Sequence, residues 1–179
     1  PHRIKELDSL IHAAPSLALR KSDYDSAFQI ALNAGVLADS LLQQQAQYFF
    51  KDLAYGNRVP ELQYEGAKFN MSVYDIPALV KLYAQEKTLT ALCNYLLGNS
   101  KEVGIILDTL QYYRNPANVN NDKVLLLEKA ANEFRWITAI KKNNRFIIVN
   151  IPSTMLKAYD SNSLVMSMRV VVGKSWTCL

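Results

Sequence analysis

Residues 141–173 read KKNNRFIIVNIPSTMLKAYDSNSLVMSMRVVVG, and a change of period at the start of this stretch decides the fold. Up to Ile140 the apolar residues recur every three or four positions; beyond it they alternate or run β-branched. Lys141-Lys142-Asn143-Asn144 is a polar turn. Arg145 to Pro152 is β-branched, too short for a helix and ended by proline, so it is predicted to be a strand. Ser153 to Asp160 alternates more weakly through Leu156, Ala158 and Tyr159, and Asp160-Ser161-Asn162-Ser163 has turn chemistry. Leu164, Met166, Met168, Val170 and Val172 then alternate with period two as far as Gly173. Consecutive strands joined by tight turns predict a three-stranded antiparallel meander.

Upstream the period is helical. Leu7, Leu10 and Ile11 form a short apolar face ended by Pro15. Ser22 and Asp25 have the spacing of a capping box, opening a helix through Phe28, Ala31 and Leu32 to a stop at Gly35. Leu37, Leu41, Tyr48, Phe49 and Leu53 continue the spacing to Gly56, with Gln43-Gln44-Gln45 as a solvated face. Asn57 to Met71, with Pro60 and Gly66, reads as an irregular surface excursion. Its length, with Arg58 and Lys68, makes it a candidate partner surface. Helices resume near Asp75, with Pro77 in a first turn, and again after Thr88 as N-cap of Leu89 to Leu97, leaving at Gly98-Asn99. Val103, Ile106, Leu107, Leu110 and Tyr113 form a stripe stopped before Pro116, and Val124, Leu127, Ala131, Phe134 and Ile137 form the last. The expectation is an α+β chain: a mainly helical part over residues 1–140, and a small meander over residues 141–179.

Composition narrows the classes. A chain of 179 residues with 50% hydrophobic and 20% charged content, 6 Gly and 6 Pro is neither disordered nor fibrous. No apolar run approaches the ~18 residues of a membrane span, and no signal-peptide pattern opens the chain. Because Pro1-His2-Arg3 is not a natural start, the chain is expected to be trimmed, so compartment stays open. The 20 basic and 16 acidic residues give a net charge of +4, scattered apart from Lys141, Lys142 and Arg145. Such scatter argues against nucleic acid, whose partners concentrate charge on one face.

Cys93, among Leu89, Leu92 and Leu96, is expected on a buried stripe, and Cys178 is penultimate. Neither has a Cys or His at metal-ligand spacing. Tyr48, Tyr83 and Tyr112 fall on apolar stripes and are expected in the core rather than on a glycan- or peptide-stacking surface. Trp136 is expected to plug the junction of the two parts, Trp176 to be exposed, and Arg169 to be a solvated or sheet-edge charge.

Asn132-Glu133-Phe134-Arg135-Trp136, Phe146 to Pro152 and Met168 to Lys174 resemble, in order and spacing, the lead-in helix and early strands of the catalytic domain in the large bacterial L,D-transpeptidases. Lys51-Asp52-Leu53-Ala54-Tyr55-Gly56 and the helix through Tyr112-Tyr113-Arg114 resemble that family's helical scaffold. The resemblance implies a periplasmic, cell-envelope protein that meets peptidoglycan or cell-wall proteins, with a scaffold beside a β-rich domain that joins stem peptides through a cysteine acyl-enzyme.

That chemistry needs a thiolate, an activating base and oxyanion donors. The family's serine-histidine-glycine-cysteine motif and its upstream histidine are not found here. The histidines are His2 and His12, and Cys178 has no His-Gly before it. No catalytic, cofactor-binding or metal-ligating residue is therefore assigned. The expectation is a family member truncated before its catalytic motif, inactive as it stands. The alternative is a helical interaction module whose C-terminal strands pair with another chain, or with a second copy, along an exposed edge.

Overall fold

Helix starts are favoured where a side chain can take up the free N–H groups of a first turn. The structure, a computed structural model, describes residues 2–34, 38–57, 73–98, 100–142, 144–161 and 163–171. Among these lie α1 (His2–His12), a short 3-10 helix η1 (Ala14–Leu17), α2 (Ser22–Leu32), α3 (Ala38–Tyr55), α4 (Ile76–Glu86), α5 (Leu89–Leu97), α6 (Lys101–Arg114) and α7 (Asn121–Lys141). The strands β1 (Arg145–Asn150), β2 (Met155–Asp160) and β3 (Ser163–Arg169) follow. The fold is mainly helical α+β with a small antiparallel meander, in the order β1-β2-β3. The chain divides into two units, residues 1–138 and 139–179.

Three helix starts follow the sequence closely. Asp75 Oδ1 accepts from Ala78 N at 3.0 Å ahead of α4, with Pro77 in the first turn. Thr88 Oγ1 accepts from Ala91 N at 3.0 Å ahead of α5, and Ser100 Oγ from Val103 N at 3.2 Å ahead of α6. The α5 terminus has a second cap from far away: Glu6 Oε2, on α1, accepts from Leu89 N at 3.1 Å.

The Ser22–Asp25 capping box does not form. α2 starts one residue early for it, with Lys21 in helical geometry at the cap position and no side-chain cap bond. Ser22 is already inside the helix, and its hydroxyl turns to the Asp23 carboxylate at 3.5 Å. The helix also stops at Leu32, with Asn33 closing it, before the expected Gly35. Leu32 is exposed rather than core. Gly35 and Leu37 lie outside the described residues, as do 58–71 of the excursion, Asn143, Asn162, Val172, Gly173, Trp176 and Cys178.

The helical unit is centred on aromatics. Tyr24, Phe28, Phe49, Phe50 and Tyr55 are buried, and Tyr24–Phe49 and Phe49–Phe50 meet edge to face with centroids 5.3 Å apart. The period of α7 is displaced from its apolar stripe. Its buried residues include Ala131, Asn132 and Arg135, whereas Phe134 and Ile137 are only half-buried and Leu125 and Leu126 are exposed.

In the second unit the register pairs Ile147 with Ala158 and Val149 with Leu156 on β1–β2, and Leu156 with Met168 and Ala158 with Met166 on β2–β3. These apolar residues share one face. Phe146 stacks on Tyr159 on the other face, with centroids 4.8 Å apart, and Arg145 pairs with Asp160 at 3.0 Å. An irregularity at Ala158/Tyr159 shifts the β3 register. The alternation in β3 does not bury a face: all seven residues, Arg169 included, are exposed.

The caps separate by mutation. Thr88→Ala is expected to cost about 1 kcal/mol in urea unfolding. Ser22→Ala, which removes no cap bond, should cost less than about 0.5 kcal/mol.

Candidate functional site

α1 ends at His12, and Pro15, whose ring has no N–H, stands in the first turn of η1, where the polar network of the helical unit begins. The chain leaves η1 through Ala18 in left-handed conformation, φ 55°. Carbonyls at such an exit need donors. Four consecutive ones receive side chains from α6 and α7. Arg114 donates to Pro15 O, Gln111 Nε2 to Ser16 O at 3.2 Å, Arg135 Nη2 to Leu17 O, and Asn132 Nδ2 to Ala18 O at 3.2 Å. Arg114 is itself held by the Glu128 carboxylate.

Asn132 uses its whole hydrogen-bonding capacity. Its Nδ2 donates to Ala18 O and to Glu128 O at 2.8 Å. Its Oδ1 accepts from Asn57 N at 3.0 Å and from Arg135 Nη1 at 3.5 Å. Two donors and two acceptors are what an amide side chain possesses, and no other residue of this shape supplies both. The bond to Asn57 ties α7 to the end of α3. There Gly56 sits at φ 84°, and a Cβ on it would lie 2.6 Å from the Asn132 carbonyl oxygen. Glycine is required twice over, for its conformation and for its lack of a side chain.

Arg135 is 3% exposed. Burial pulls its pKa down to about 10, against the opposing pull of Tyr24, Cys93 and Asp52. It remains a cation at neutral pH. Nearby, Tyr24 donates to Asp52 Oδ2 at 2.7 Å. Burial raises the Asp52 carboxyl above its ordinary range, an effect the Tyr24 bond partly offsets. Burial likewise raises the Tyr24 phenol. Tyr24 with Asp52, and Arg135 with Asn132 and Leu17 O, are internal structural bonds, while Arg135 Nε and Asn57 Oδ1 are buried without a hydrogen-bond partner among the described residues.

Cys93 is buried on α5, and burial pushes its thiol up to about 11, so at neutral pH it is a thiol rather than a nucleophilic thiolate. His2 and His12 are exposed on α1, and the His12 ring meets Asp8 O at 2.9 Å. Among the described residues no cluster of His, Cys, Asp and Glu is arranged to hold a metal, and no helix is long and apolar enough to cross a membrane.

Two tyrosines are corrected. Tyr83 is buried as expected, but Tyr48 and Tyr112 are 52% and 56% exposed. On α3 the core side is taken by Phe49, Phe50 and Leu53, and Tyr48 stands beside that stripe rather than on it. Trp136 is half-buried on α7. In the sequence Asn132 and Arg135 stand out only as part of the Asn132–Trp136 stretch. Their i,i+3 spacing beside Ala131 is the signal of a polar seam inside an apolar helix face.

The chain matches no known protein family, no curated protein and no solved structure.

Gly56→Ala should lower stability by about 3 kcal/mol or more, because both conformation and contact with backbone are violated. Chemical denaturation of the full chain measures it, and a loss under about 1 kcal/mol would contradict the close approach to Asn132.

Proposed function

We propose that this chain is an L,D-transpeptidase-like cell-wall protein that acts as a helical scaffold at the cell envelope and carries no acyl-transfer centre of its own. One observation supports the reading above others. Lys51–Gly56 and Asn132–Trp136, the scaffold-like and lead-in stretches of the resemblance, meet in one buried network through Gly56, Asn57, Asn132 and Arg135. Residues shared between distant stretches of a family pattern have a physical reason to go together when they complete one another's hydrogen bonds. Cys93 is too deeply buried and too firmly protonated for nucleophilic work.

The test is co-sedimentation of the full chain with purified peptidoglycan sacculi, alongside incubation with tetrapeptide stems. Sedimentation with sacculi and no cross-linked stem dimer by mass spectrometry is expected. A cross-linked dimer would refute the inactivity, and protein left wholly in the supernatant would refute the cell-wall role.

A second reading, an interaction module pairing through its strands, draws on a separate observation: β3 is exposed throughout and, among the described residues, has a strand only on its β2 side. It predicts a dimer in size-exclusion chromatography that disappears when residues 146–179 are deleted. A monomeric full chain would count against it.

A further inference from the structure

Gln44, Tyr48, Lys51 and Tyr55 follow one another at intervals of four, three and four along α3, so they share one face of the helix. That face, with Gln47, forms one wall of an open cleft of about 320 Å³, and Ile76 and Pro77 at the start of α4 form the other. The volume lies at the small end of ligand sites, enough for one or two sugar rings. The end of the cleft is rigid. Tyr55 and Tyr74 are buried, their rings meet edge to face at 5.6 Å, and the Tyr55 hydroxyl accepts from Tyr74 N at 2.8 Å.

The free chemistry of this cleft is unusual for a solvated helix face. Tyr48 leaves a large aromatic surface uncovered at 52% exposure. Gln44 and Gln47 offer amides that both donate and accept. Lys51 is exposed, no ion pair engages it among the described residues, and no carboxylate lines the cleft among them. Gln44 of the Gln43–Gln45 run and Tyr48, each unremarkable in the sequence, are thus brought to one place.

We propose that this cleft binds a pyranose that carries a carboxylate. The apolar C–H face of the ring stacks on Tyr48, its hydroxyls exchange hydrogen bonds with Gln44 and Gln47, and its carboxylate meets the Lys51 ammonium. A peptide anchor would need a deep apolar pocket, and the aromatic surface here is flat and open. A nucleic-acid strand would need a row of cations, and the cleft has one among the described residues. The assignment rests on the α3 stripe and does not depend on the cell-wall reading.

The experiment is a 15N–1H NMR titration of the full chain with tri-galacturonic acid, its methyl ester, and tetraglutamate. The acid sugar should shift the backbone amides of the Gln44–Tyr55 stretch and of Ile76, with weak affinity. Tyr48→Ala should weaken binding about tenfold and Tyr48→Phe less than about twofold. Lys51→Met should weaken binding of the acid about threefold and leave that of the ester unchanged. Native spectral dispersion in each variant separates lost binding from lost fold. No shift at the stripe with either sugar, equal binding by tetraglutamate, or indifference to Tyr48→Ala would each overturn the assignment.

Discussion

Four carbonyls in a row, from Pro15 to Ala18, each take a side-chain donor from α6 or α7, and the Pro15 carbonyl also accepts from Ala18 N at 2.9 Å. Pro15 and Ser16 lie at the surface, whereas Leu17 and Ala18 turn inward, and leaving either of those inner carbonyls unsatisfied would cost on the order of 1–3 kcal/mol. The donors come from about 95 to 118 residues further along the chain. One short piece of irregular backbone therefore fixes where α6 and α7 lie within the helical unit. The approach of Gly56 to the Asn132 carbonyl and the bond from Asn57 follow from that placement.

The same constraint explains why a cation occupies the centre. A guanidinium reaches a backbone carbonyl and an amide oxygen at once, and its charge is balanced by carbonyl dipoles and the nearby Asp52 rather than by a direct ion pair. The cost of burying it is reflected in its lowered pKa. Such a centre is built for rigidity. Exposed groups are found instead on the outer side of α3, where Tyr48 and Lys51 engage no structural partner of this kind among the described residues.

The second unit obeys a different rule. Its register gathers Ile147, Val149, Leu156, Ala158, Met166 and Met168 on one face, yet β3 is exposed along its whole length. Two of its connections are made by residues in left-handed conformation, Thr154 and Ser161. Tight turns and cross-strand pairs hold the meander in register, and burial contributes less to it than to the helices.

Local chemistry was legible in the sequence. The helix start near Asp75, the cap at Thr88, the stop before Pro116, the burial of Cys93 and the switch of period after Ile140 all arise from groups within a few residues of one another, and all are found where expected. The capping box at Ser22 shows the limit of that reading, because backbone bonds to Arg20 O and Lys21 O start the helix one residue earlier than the motif requires. Tyr48 and Tyr112 show another: periodicity tells which residues share a helix face, not how much of that face another helix covers. The four donors to the Pro15–Ala18 carbonyls, the Glu6 cap on α5 and the union of Gly56 with Asn132 were decided by tertiary structure alone. They join positions many tens of residues apart, and no local pattern records which distant side chain will arrive to satisfy a backbone group.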